Sequence, residues 1–188
     1  TQHTSSAASD VYKRQECRIL SSGSRTNPWM QESSNKIIQD GEIVSFDTDM
    51  VGPYGYCADI SRAFVCGNKF NEYQKKIYLT AVEQIDYNSR LIKDGVSFNE
   101  FTEKAWILPE KYYGNRYSVM LHGIGLCDEW PAIRYPTDGG ERSGIFQKNM
   151  TITLESYIGE VGGHEGVKLE QQYLVGENGL ELMSHHPL

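Results

Sequence analysis

FDTDMVGPYGYCADISR (residues 46–62) sets Asp47, Asp49 and Asp59 among Phe46, Met50, Val51, Tyr54, Tyr56, Cys57 and Ile60. A buried carboxylate without a partner is costly, so acids in this setting demand one. The stretch also reads as a hairpin. EIVSFDTD (42–49) follows the turn signal Gln39-Asp40-Gly41 and carries Ile, Val and Phe, which suits a strand. GPYG (52–55) is a turn, and YCADISRAFVCG (56–67) returns as a second strand or pair of strands. Asp47 and Asp59 flank that turn and can face each other across paired strands.

Outward from the hairpin, residues 71–95 place Ile77, Tyr78, Ala81, Val82, Ile85 and Leu91 at helical spacing, with Asp94-Gly95 as the stop. Ser97 with Glu100 three residues later has the form of a capping box and opens a second helix over 98–112. YSVMLHGIGL (117–126) runs into a glycine-containing loop. MTITLESY (150–157) and GVKLEQQYLV (166–175) read as strands, the latter closed by the turn GENG (176–179). Strands at both ends with helices between them predict an α+β domain, an antiparallel sheet covered by helices. No internal repeat or linker interrupts 25–188.

The chain has 188 residues, enough for one domain with a real core. With 39% hydrophobic and 23% charged residues it has the composition of a soluble globular protein. A net charge of −7 argues against nucleic acid as a partner, and no apolar run nears the ~18 residues of a membrane span. Cys17, Cys57, Cys66 and Cys127 are scattered, with no CxxC pair, as in a cytoplasmic protein with reduced thiols. Residues 1–15 stand apart: SSAASDVYKRQ resembles a translated sequencing adaptor and has no signal-peptide core. We expect 1–15 to be a leader foreign to the fold and 16–188 to be a metal-binding catalytic domain whose N-terminal companion domain lies outside this chain.

Five positions carry the chemistry: Asp47, Asp59, His122, Glu155 and Glu170. Each lies in or beside an expected strand or a glycine-bounded loop. A lone acid on a strand is more often a solvated edge residue than a ligand, and a lone loop histidine is rarely one. Together, four carboxylates could not share one buried site without strong repulsion. Divalent cations resolve this, and four carboxylates with an imidazole suit Fe, Mn, Co or Zn. Carboxylate-bridged metals ~3.5–4 Å apart are an established catalytic device.

The order Asp47, Asp59, HGIG around His122, Glu155, Glu170 resembles the creatinase/aminopeptidase P metallopeptidases, the "pita-bread" fold, over roughly 17–180. The resemblance implies a dinuclear metal site held one for one by those five residues, in a curved antiparallel sheet covered by helices, and commonly a homodimer. Peptidases of this fold usually carry two further histidines, which handle the scissile bond. Here those neighbourhoods are NPWMQE (27–32) and CDEW (127–130), where Trp29 and Glu129 stand instead. His164 is in no position to replace either.

RTNPW, FDTDMVGPYGYCADISR, HGIGLCDEWP and LESYIGEVGGHEGVKLEQ resemble more closely the DddP-type lyase branch of this fold, which cleaves dimethylsulfoniopropionate (DMSP) to dimethyl sulfide and acrylate. That resemblance implies Asp49 as a sixth metal residue, iron first among the candidate metals, Asp128 as the base and Tyr117 as an assisting group. Trp29, Tyr54 and Tyr56 are candidates to face the sulfonium through cation–π contacts, with Trp29 and Tyr56 preferred. Arg62 is a candidate to hold a ligand carboxylate, and Arg25 and Arg134 to neutralise a substrate carboxylate. A Xaa-Pro-type metallopeptidase is the alternative reading, and a non-catalytic binding member of the fold a third.

Overall fold

The computed structural model describes residues 14–15, 19–140 and 143–188. The greater part of the expected foreign leader, residues 1–13, and Cys17 lie outside this range. The hairpin forms as β3 (Ile43–Val51) and β4 (Cys57–Val65), joined by a 3₁₀ turn at Pro53–Gly55 in which Tyr54 has φ +64°. β4 pairs antiparallel with the whole of β3, from Ile43 opposite Val65 to Val51 opposite Cys57. The other edge of β3 takes β1 (Arg14–Gln15) and β2 (Ile19–Ser22) in succession. The register differs from the expected one in a way that matters. Asp59 lies opposite Asp49, and Asp47 lies opposite Ser61. Because side chains alternate along a strand, Asp47, Asp49, Asp59 and Ser61 all share one face.

A second antiparallel sheet holds β5 (Val119–Gly123), β6 (Ala132–Arg134), β7 (Thr151–Gly159), β8 (Gly166–Val175) and β9 (Leu180–Leu182), in the order β6-β5-β7-β8-β9. Its long strands are buried on both faces, and they alternate apolar residues on one face with polar and charged residues on the other. Leu121, Ile152, Leu154, Ile158, Val167 and Leu169 form one face and pack with Ile77, Ala81 and Ile85 of helix α1 (Glu72–Ser89) in the main core. The opposite face carries His122, Thr153, Glu155, Lys168 and Glu170.

Helix α1 starts with a complete capping box. The Asn71 side chain accepts from the Gln74 amide, and the Gln74 side chain accepts from the Asn71 amide. The helix ends at Ser89, before the expected Asp94-Gly95 stop, as i→i−3 bonds from Arg90 to Tyr87 and Leu91 to Asn88 tighten its last turn. The expected continuous helix over 98–112 is two short ones, α2 (Phe98–Lys104) and α3 (Glu110–Tyr113). Ala105 is extended (φ −55°, ψ 153°), and Pro109 biases the residue before it away from helical geometry. The freed Trp106 amide is captured by the Asn88 side chain at 2.8 Å. Ser97 caps α2 by accepting from the Glu100 amide. No helix among the described residues is long and apolar enough to cross a membrane.

The core that backs the second sheet fixes the height and spacing of its acidic face. Leu154 is fully buried and is the neighbour of Glu155. Leu154→Ala is expected to lower unfolding stability by about 2–5 kcal/mol, read as a fall in the urea midpoint with little change in slope.

Candidate metal centre

The acidic faces of the two sheets meet. From the hairpin come Asp47, Asp49 and Asp59; from the second sheet come His122 on β5, Glu155 on β7 and Glu170 on β8, and all six are buried. Glu155 and Glu170 sit directly opposite each other on the β7–β8 ladder. Like charges so placed repel, and a sheet tolerates them only with a compensating group between. Imidazole Nε2 of His122 lies 3.3 Å from Glu155 Oε1, 3.5 Å from Glu170 Oε1 and 3.5 Å from Asp59 Oδ2. Its Nδ1 lies 3.0 Å from the Gly123 carbonyl, which as acceptor directs Nε2 at the acids. Thr153, opposite His122, donates to Glu170 Oε1 at 2.6 Å.

Two groups of ligand atoms each fall within 4.8 Å: Asp59, His122 and Glu170, and Asp47, Asp49 and Asp59. Asp59 belongs to both, as a bridging carboxylate would. Its Oδ1 is buried without a hydrogen-bond partner, so the cradle is unsatisfied by protein alone. Buried oxygen donors with one imidazole are the donor set of a hard or borderline divalent cation. The residues fit metal.

Lys168 stands in the same place, and reading the sequence for metal ligands passes over it. Its side chain is 2% exposed, and Nζ lies 2.5 Å from Glu155 Oε2, 3.5 Å from Glu170 Oε2 and 2.9 Å from Ser61 Oγ. Ser61 in turn donates to Asp47 and contacts Glu170 Oε2 at 3.1 Å. Both residues follow from strand alternation: Lys168 is two before Glu170 and Ser61 two after Asp59, on the same faces.

These contacts set the protonation pattern. Burial, with the charges of Glu170 and Glu155, holds the Asp59 carboxyl far above the usual range. Burial raises Asp47 to about 7 despite the pull of Lys168, and burial beside Glu170 raises Glu155. Glu170 is driven the other way: burial would raise it, but Lys168 and His122 outweigh that and hold it low. His122 is raised to about 11, since its contacts with Glu155 and Glu170 overcome the cost of burying its charge.

The remaining candidates separate. Asp128 is half-buried on the loop after β5, its Oδ1 accepting from the Glu129 amide at 3.0 Å. Partial burial and the nearby Asp49 raise its carboxyl to about 6, against the opposing pull of His122. Tyr117 is half-buried with Lys168 Nζ 5.2 Å from its ring centre. Trp29 is 8% exposed and packs against Tyr157 at 6.0 Å, with the same ammonium 5.1 Å from its ring. Tyr56 lies elsewhere. It is exposed and lines a cavity of about 400 Å³ with Cys127, Trp130, Gly123 and Ile152, on the face of the second sheet opposite His122. Glu129 is exposed, and so is His164.

The model of metallopeptidase family M24 matches residues 5–177. The chain belongs to metallopeptidase family M24. Its fold is that of the family's solved members. A prolidase from Pyrococcus furiosus superposes with a TM-score of 0.76 at 28% identity, covering 90% of this chain and 49% of that one. An X-Pro aminopeptidase from Thermotoga maritima gives 0.74 at 26%, covering 90% and 47%. Among curated proteins, a dimethylsulfoniopropionate lyase DddP from Roseovarius nubinhibens is 40% identical over 175 residues, 92% of this chain and 39% of the relative. The protein of the same name from Roseobacter denitrificans is also 40% identical, over 176 residues. The chain therefore spans about two-fifths of the length of these lyases.

Since Asp59 and His122 hold protons in the metal-free site, a cation must displace them. Titration of dialysed protein with Co(II) or Mn(II) in buffers of differing ionisation heat is expected to show net proton release. Affinity is expected to rise with pH between about 5 and 8, the direction that the raised carboxyls require. Uptake without proton release would contradict the protonation pattern.

Proposed function

We propose that this chain is the metal-binding catalytic part of a DMSP lyase, working by β-elimination with Asp128 as the base. The observation that carries the proposal is Asp128 itself. Its half-buried carboxyl at the rim of the acidic cluster is raised to about 6, strong enough to accept a proton yet ionised at neutral pH. The 40% identity to two proteins named as DMSP lyases supports the same reading. So does the presence of Trp29 and Glu129 where peptidases of the fold place histidines.

Asp47, Asp49, Asp59, His122, Glu155 and Glu170 would hold the metal, which when bound supplies Lewis-acid charge for the substrate carboxylate. If all five acids are ionised and His122 is neutral, Lys168 leaves four negative charges unbalanced. That is the charge two divalent cations carry, and it favours a dinuclear centre, iron being our first choice. Asp128 takes the proton from the carbon next to the carboxylate. The C–H pair becomes the C=C bond of acrylate, and the C–S pair leaves with neutral dimethyl sulfide. Tyr117 orients the substrate. Its hydroxyl pKa is pushed up by burial and by the negative charge of Glu155, so it stays a hydrogen-bond donor.

Trp29 forms part of the wall with Tyr117, both rings facing Lys168. Trp29 is then the ring left to meet the sulfonium, a cation–π contact worth ~0.5–2 kcal/mol, since Tyr56 lies on the opposite face of the second sheet. A homodimeric, cytoplasmic enzyme completes the proposal. Cys66 and Cys127 are free thiols, in keeping with a reducing compartment.

Purified metal-loaded protein given DMSP is expected to release dimethyl sulfide into the headspace. Asp128→Asn should cut that rate by about 10²-fold or more with metal content unchanged. Activity should fall as pH drops through about 6, because the base must be ionised. Wild-type rates from Asp128→Asn would refute the base. Turnover of a Xaa-Pro dipeptide without dimethyl sulfide release would instead favour the hydrolase reading.

A further inference from the structure

We infer that Arg62 is a positioning residue for the metal centre, which ties the two ligand-bearing sheets together through a strap formed by residues 184–187. The inference rests on the reading of the acidic cluster as a metal site and is independent of the substrate.

The Arg62 side chain is 4% exposed and all five of its N–H donors are used. Nη1 donates to the carbonyls of Ser61 at 2.8 Å and Glu170 at 2.5 Å. Nη2 donates to Gln171 Oε1 at 2.6 Å and to the His186 carbonyl at 2.5 Å, and Nε to the Pro187 carbonyl at 2.9 Å. Every acceptor is a neutral oxygen. A buried charge without an ion-pair partner is a poor source of stability, so a geometric role accounts for it better.

The geometry is specific. β4 and β8 belong to different sheets and share no ladder. One nitrogen of Arg62 holds the backbone of Ser61 on the first and Glu170 on the second. Ser61 Oγ reaches both Asp47 and Glu170, so the clip fixes the distance between the hairpin acids and the Glu155–Glu170 pair.

The strap holds Arg62 from behind. Ser184 Oγ donates to Gln171 Oε1 at 2.6 Å and accepts from the Gln172 amide at 3.1 Å. The ring of His186 meets Phe64 edge-on at 6.1 Å. The planar fork of a guanidinium serves five fixed acceptors; a lysine ammonium has three donors and cannot.

The test is Co(II) titration, read by visible absorption, of the full chain, Arg62→Lys and a chain ended after Met183. Far-UV circular dichroism serves as the folding control. Both variants are expected to bind Co(II) at least about tenfold more weakly and with altered ligand-field bands, and the combined variant no more weakly than Arg62→Lys alone, since both act through one clip. Absence of Co(II) binding by the unaltered chain would refute the metal reading itself. Binding by the unaltered chain, with the same affinity and bands in Arg62→Lys, would overturn the role of Arg62. Should Arg62→Lys fail to fold, the shortened chain decides: unchanged bands and affinity there overturn the strap.

Discussion

Five carboxylates are buried between two sheets with Lys168 and the His122 imidazole for direct company. This constraint organises the molecule. Burying so much charge of one sign is affordable only if something positive stands in it or if protons are retained. The described structure shows both, with Lys168 in contact with Glu155 and Glu170 and with Asp59 and Glu155 held above their usual range. The faces that carry the acids cannot be exchanged for ordinary core. The faces behind them therefore supply the packing: Leu121, Leu154 and Leu169 are all fully buried. The strands read as apolar in sequence because only alternate positions carry chemistry.

That alternation decides what was legible in the sequence. The strands, the helix over the seventies and eighties and the α+β class follow from local pattern and turn residues. The choice of the six candidate ligands rests on their order along the chain together with a family resemblance; periodicity alone leaves each one an ordinary strand residue. Register was not legible. A hairpin turn of three or four residues can pair Asp59 with Asp47 or with Asp49, and the 3₁₀ turn at Pro53–Gly55 selects Asp49. Lys168 and Ser61 were passed over because lysine and serine are not metal ligands. The signal was nonetheless there, a lysine two residues from a ligand inside an apolar strand. The helix over 98–112 failed because a capping signal at Ser97 was followed forward without regard to Pro109.

The division between strands and loops also bears on how one fold serves different chemistries. The candidate metal ligands lie on β3, β4, β5, β7 and β8, where the ladder fixes their positions. The groups that would separate a lyase from a peptidase lie off the sheets: Trp29 after the 3₁₀ turn at Gly23–Thr26, and Asp128 and Glu129 in the loop after β5. Loops can exchange such groups without disturbing the strand register, so one fold can carry different chemistries.

Lys168 and Arg62 divide the work between them. Lys168 stands inside the acidic space, where its flexible stem lets the ammonium follow the carboxylates. It compensates charge but cannot dictate the separation of the sheets. Arg62 stands behind the ligands, touches no carboxylate oxygen among the described residues, and holds carbonyls on both sheets at once. A point charge on a flexible stem is suited to a space whose occupancy changes as metal arrives. A rigid fork satisfied on all sides is suited to a frame that must not change. On the reading of the cluster as a metal site, the register of its acids is set by backbone and guanidinium, and a cation would enter a site whose dimensions already exist.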